Sequence, residues 1–77
     1  MMIHVGQMIK AELARQPKAR TATWLARQLH CKRTNVYNIF SRPSVDTALL
    51  ERISRILGHD FFLDLSESLN GEEEGER

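Results

Sequence analysis

Residue types and spacing come closest to chemistry in Arg33-Thr34-Asn35-Val36-Tyr37-Asn38-Ile39-Phe40. Val36, Ile39 and Phe40 recur at helical spacing and form one apolar side. Arg33, Thr34, Asn35, Tyr37 and Asn38 remain on the other side, and all of them donate or accept hydrogen bonds. No nucleophile or general base stands among them. Their chemistry is recognition: a guanidinium donates through a planar fork, and a carboxamide both donates and accepts. A helix that reads a duplex groove needs this division, and the major groove is wide enough to admit a helix.

The remaining reactive side chains do not converge. Catalysis needs acid, base or nucleophile groups gathered in one pocket. His4, His30 and His59 are scattered, and Cys31 has only His30 beside it, whose side chain should point elsewhere. His30 and His59 read as turn residues and His4 as part of an N-terminal arm. Cys31 reads as a small packing residue, since free cysteine is often buried. No Gly-rich phosphate loop occurs, and no Cys/His spacing resembles a zinc site. The expectation is a chain that is not an enzyme, with no catalytic residue, no metal and no cofactor.

Charge is divided along the chain. Through Arg42 there are eight basic residues and one acid, Glu12, which leaves +7; from Pro43 onward three basic residues meet nine acids, which leaves −6. The net charge of +1 hides this split. A basic front suits a polyanion, and the acidic end suits a solvated tail. One cysteine among 77 residues allows no internal disulfide. That fits a reducing compartment. The start, Met1 to Lys10, lacks the basic onset and long apolar run of a signal peptide. No stretch approaches the roughly 20 apolar residues of a membrane span. A cytoplasmic protein with no membrane partner is expected.

Five helices are expected to carry these side chains. Val5, Met8, Ile9 and Leu13 form the stripe of a first helix that Pro17 must end after Gln16. Thr21 caps a second helix, Ala22 to Leu29, with Thr23 as the alternative cap. Leu25, Ala26 and Leu29 face inward there, and Trp24 folds over the domain's edge. His30 takes the left-handed position that closes a helix, usually held by glycine. The third helix runs from Arg33 to Ser41. Asp46 caps a fourth, Thr47 to Leu57, closed by Gly58. Asp60 caps a shorter fifth helix with Phe61, Phe62, Leu65 and Leu69 inward. The domain then covers residues 5–69, and residues 70–77 form an acidic disordered tail.

Two short helices joined by a turn of three or four residues match a helix-turn-helix. The run from Thr21 to Arg42 also resembles the helix-turn-helix of the lambda-repressor/Cro-like (XRE-type) DNA-binding domain family. Thr21, Leu25-Ala26, Leu29, His30, Cys31, Lys32, Val36 and Ile39 occupy the family's cap, Leu-Ala pair, turn and Ile/Val places in register. Residues 42–58 resemble the family's fourth helix, so the resemblance covers roughly residues 5–66. His30 stands in place of the usual turn glycine and Lys32 in place of the usual Ser/Thr cap. Ala22 replaces a phosphate-contacting polar residue, and Trp24 a commonly charged one. The resemblance implies an all-α, compact five-helix domain that binds double-stranded DNA.

By that resemblance, Arg33, Thr34, Asn35 and Asn38 are the base-contacting positions. Arg is the commonest guanine reader and Asn can pair bidentately with adenine. Lys18, Arg20, Thr23, Arg27, Lys32, Tyr37 and Arg42 are the backbone candidates, which position a protein without specifying sequence. Members of the family usually act as two-fold dimers on half-sites roughly 34 Å apart. Helix 5, with Leu63, and the C-terminal side of helix 4 are the expected homodimer surface. The functional expectation is a sequence-specific transcriptional regulator of repressor type. The competing expectation is a protein-interaction module, or an antitoxin-like partner, that keeps the fold but binds another protein.

Overall fold

The computed structural model describes residues 3–75, with side chains described through residue 70. Its elements are α1 (Val5–Arg15), α2 (Ala22–Gln28), α3 (Arg33–Ser41), α4 (Thr47–Leu57) and α5 (Phe61–Gly75). The described residues contain no strand. The protein is compact and all-helical, as expected. α3 and α4 have the expected bounds, and α1 and α2 each end one residue early.

Local chemistry accounts for most of the helix ends. The Thr21 hydroxyl accepts from the Trp24 N–H at 3.1 Å, and the Asp46 carboxylate accepts from Leu49 N–H at 2.7 Å. Asp60 accepts from Leu63 N–H at 3.1 Å and starts α5. His4 starts α1, its Nδ1 accepting from Gln7 N–H at 3.1 Å. Each side chain satisfies a donor that has no partner within its helix. α4 closes on Gly58 at φ 65°, as expected of a left-handed glycine cap.

α2 closes on His30, which sits at φ 57°. The Cys31 N–H reaches back to Ala26 O at 2.9 Å and the His30 N–H to Arg27 O at 3.2 Å. This paired closure is a Schellman motif. It sets the direction in which the chain leaves α2 and enters α3. Lys32 then occupies the N-cap of α3 with no side-chain capping bond, as its aliphatic-ammonium side chain requires.

The core is built from one face of every helix. Val5, Ile9 and Leu13 of α1 meet Leu25, Ala26 and Leu29, then Val36, Ile39 and Phe40 of α3. Leu50, Ile53 and Leu57 of α4 and Phe61 of α5 close it. Trp24 packs against its edge, as expected.

α1 and α3 approach unusually closely. Val5 N–H donates to Pro43 O and Gly6 N–H to Arg42 O, both at 2.9 Å. The unpaired first donors of α1 thus meet carbonyls at the end of α3. A β-carbon on Gly6 would lie 2.4 Å from the carbonyl oxygens of Ile39 and Phe40 and 2.6 Å from that of Arg42. Only glycine permits this contact, which anchors the C-terminal end of α3.

α5 departs from the expectation in two ways. Its backbone is helical through Gly75, six residues past Leu69, where the sequence reading begins a disordered tail at residue 70. Residues 76–77 lie outside the described residues. Glutamate is a good helix former, so the turn-like Asn70-Gly71 pair does not stop the helix. Its facing also differs. Phe61 is buried, but Phe62 is 40% exposed and Leu69 56% exposed. The inward stripe is Phe61, Asp64, Leu65 and Ser68, at i, i+3, i+4 and i+7.

Candidate nucleic-acid interface

α3 separates its side chains as its spacing requires. Val36, Ile39 and Phe40 are buried against α1 and α2. Arg33, Thr34, Asn35, Tyr37 and Asn38 are all exposed. Tyr37 is 53% exposed, and its ring meets the edge of Phe40 at 6.0 Å between centroids. This contact restricts the ring and leaves its hydroxyl free of intramolecular bonds among the described residues. The Asn38 carbonyl accepts from the Ser41 hydroxyl at 2.7 Å, while no bond among the described residues uses its carboxamide.

The arginines sort by whether the chain already engages them. Arg15 donates twice to Glu12 Oε1, at 2.8 and 3.1 Å. Arg20 donates to Gln16 Oε1 at 2.6 Å and lies 4.8 Å from the centroid of the Trp24 ring. Arg55 pairs with Glu51 at 3.4 Å. Among the described residues, Arg27, Arg33, Arg42 and Arg52 have no such partner. These four belong to α2, to α3 and its C-cap, and to α4.

Of the expected backbone set, Lys18, Thr23, Arg27, Lys32, Tyr37 and Arg42 are exposed. Arg20 is half-buried, and its guanidinium serves the α1–α2 connection through Gln16 and Trp24. Asn35, Asn38 and Arg42 are brought together, at i, i+3 and i+7 of one helical stripe. They line a cavity of about 290 Å³ between α3 and α4. Leu29, Cys31, Ile39 and Leu49 supply its apolar lining, and Arg52 of α4 its remaining polar wall. No described contact ties Lys18 or Arg27 to this group.

Two features of α1 are not announced by the sequence. Glu12 is buried, 8% exposed, although it is acidic. Its Oε1 takes Arg15 and lies 3.5 Å from His59 Nδ1, and its Oε2 accepts from Gln16 Nε2 at 2.8 Å. The other His59 nitrogen faces Asp64 of α5. Burial pushes the Glu12 carboxyl up. The hydrogen bonds from Gln16 and Arg15, with the charges of His59 and Arg15, outweigh burial and hold it below the usual carboxylate range. The cluster thus joins α1 to α5. The available signal was Glu12 falling on the Val5/Ile9/Leu13 stripe, where an acid needs partners.

The second missed residue is Gly6, which shares that stripe. Its close approach to α3 depends on tertiary packing, and no local pattern announces it. Among the described residues, no group of three or more His, Cys, Asp and Glu side chains is placed to hold a metal ion. No described helix is long and apolar enough to cross a membrane.

The fold and surface define an all-helical protein whose third helix presents an exposed face of hydrogen-bonding side chains. No family model, curated protein or solved structure matches the chain.

Proposed function

We propose that this chain is a sequence-specific double-stranded DNA-binding transcriptional regulator of repressor type. In this reading α2 and α3 form a helix-turn-helix, and α3 enters the major groove. The observation that carries it is the division of α3. Three apolar side chains hold the helix to the core, while Arg33, Thr34, Asn35, Tyr37 and Asn38 stand exposed, with no side-chain hydrogen bond among the described residues. The resemblance to the lambda-repressor/Cro-like family supports it, as does the closure on His30, which directs α2 into α3 through a tight turn. Arg33, Thr34, Asn35 and Asn38 read base edges. Lys18, Thr23, Arg27, Lys32, Tyr37 and Arg42 take phosphates.

The test is binding to a mixed-sequence duplex over a salt series, followed by selection of the preferred site. Phosphate-driven binding loses affinity with a log–log slope of roughly −0.9 per neutralised phosphate. Arg33→Ala and Asn38→Ala should each cost about 1–3 kcal/mol of discrimination at one base position. Helicity should be unchanged, because both side chains are exposed. Variants that select the wild-type site with full discrimination would remove these residues from base reading.

A second reading rests on α5. Phe62, Leu63 and Leu69 are exposed at 40%, 53% and 56%. An apolar surface of this kind suits a protein partner, and an antitoxin-like module would use it. Absence of duplex binding even at low salt would favour that reading over DNA recognition.

A further inference from the structure

We infer that the cavity between α3 and α4 seats one phosphate of the bound DNA strand, with Arg52 as the anchor that α4 supplies. The inference rests on the DNA-binding reading and adds a site to it.

The cavity's composition carries the assignment. Its polar lining is two guanidiniums, Arg42 and Arg52, and two carboxamides, Asn35 and Asn38. None of its lining residues is acidic. The guanidiniums only donate hydrogen bonds, and the neutral carboxamides at the rim bring no charge that would oppose an anion. Such a wall is complementary to an oxyanion with several acceptor oxygens, and Arg matches phosphate through its planar fork. Leu29, Ile39 and Leu49 line the apolar part, which lowers the local dielectric and strengthens a charge-assisted bond.

Arg52 is distinguished from its neighbour on the same helix. Arg55, three residues on, is paired with Glu51. Among the described residues, Arg52 has no carboxylate partner, although it stands on a helix with an acid beside it. It is therefore available to an external anion. A strand phosphate is favoured over a free one by position. The same stripe of α3 that lines the cavity carries Asn35 and Asn38, the proposed base readers, so a strand read by α3 passes beside it. Arg42 and Arg52 would then fix the register in which the two asparagines meet base edges. A phosphate contact has this positioning role.

The test compares wild-type chain with Arg52→Gln, Arg42→Gln and Arg55→Gln in duplex binding across salt. Arg52→Gln should lower the magnitude of the log–log slope by roughly 0.9 and weaken binding equally for all sequences. Arg55→Gln removes the same charge from the same helix and should change the slope less. Equal changes from both would overturn the seat, because bulk charge would then explain them. An unchanged slope in Arg52→Gln, with wild type still binding, would overturn the seat alone. Wild type that binds no duplex at all would overturn the functional reading and the seat together. Inorganic phosphate is titrated into the free protein while the Asn35 and Asn38 side-chain amides are followed by NMR. No saturable shift is expected. Sub-millimolar saturation would overturn the strand assignment in favour of a free phosphate ligand. Circular dichroism checks that each variant keeps its fold.

Discussion

At the scale of single residues, Gly6 and Glu12 each make a packing contact that a substitution would disturb. In an ordinary helix, Gly→Ala stabilises by about 0.5–1 kcal/mol. Gly6 should reverse that sign. An alanine β-carbon would lie 2.4 Å from two backbone oxygens at the end of α3, and backbone cannot rotate away as a side chain can. Overpacking of this kind costs about 1–3 kcal/mol or more. In a chain this size that lowers the melting temperature by roughly 10 °C. Gly58 is the control: at φ 65° it has nothing within 4 Å of a built β-carbon, so Gly58→Ala should carry only left-handed strain. Thermal melts that rank Gly58→Ala as the worse variant would contradict the close-approach argument.

Glu12 ties acid stability to the same scale. Burial raises its carboxyl, but Gln16, Arg15 and His59 together hold it below the usual carboxylate range. A lowered folded pKa contributes stability that is complete above the unfolded value and lost as pH falls through the folded one. Glu12→Gln should cost about 1–3 kcal/mol near neutral pH, because it leaves Arg15 and His59 without the carboxylate. The gap between wild type and variant should narrow as pH falls from about 6 to about 3. Melting temperatures across that range check it, and a gap that widens in acid would refute it. Asp64 also faces His59, so wild type and variant must be compared at each pH.

At the scale of elements, the turn from α2 into α3 concentrates a conflict between stability and the proposed function. Lys32 occupies an N-cap where Ser, Thr, Asp or Asn would accept a backbone bond, and no side chain replaces that bond. Lys32→Ser should stabilise the fold by about 0.5–2 kcal/mol. If Lys32 takes a phosphate, the same change should reduce the salt slope by roughly 0.9. A melt and a salt series on one variant measure both. Higher stability with an unchanged slope would remove Lys32 from the interface.

The same scale shows what sequence could reveal. Most helix starts and stops were legible because Thr21, His30, Asp46, Gly58 and Asp60 act within three to five residues of themselves; the His4 cap of α1 and the end of α5 were not. The polar face of α3 was legible because only one assignment buries Val36, Ile39 and Phe40 together. The facing of α5 was not. Phe61-Phe62-Leu63-Asp64-Leu65 offers apolar residues to several stripes. The stripe chosen is the one that brings Asp64 to His59, whose other nitrogen meets Glu12 across the fold. Arg52 was equally silent, because only the folded chain brings it to the cavity that α3 also lines.

At the scale of the whole molecule, the facing of α5 determines what the domain can assemble with. Turning Phe61 inward leaves Phe62, Leu63 and Leu69 in solvent, a costly exposure for a domain with a small core. A two-fold copy would cover this surface with itself, since an isologous interface pairs one patch with the same patch. Under the proposed function, that symmetry would set two α3 helices on half-sites roughly 34 Å apart. Phe62→Glu combined with Leu63→Glu should raise the dimer dissociation constant at least tenfold, about 1.4 kcal/mol. It should weaken binding to a palindromic site far more than binding to a half-site. The core should survive, because both side chains point away from it. Sedimentation equilibrium with and without duplex measures the association. A wild-type chain that stays monomeric in both conditions would assign the α5 surface to a different protein, while the reading of α3 would stand on its own salt series.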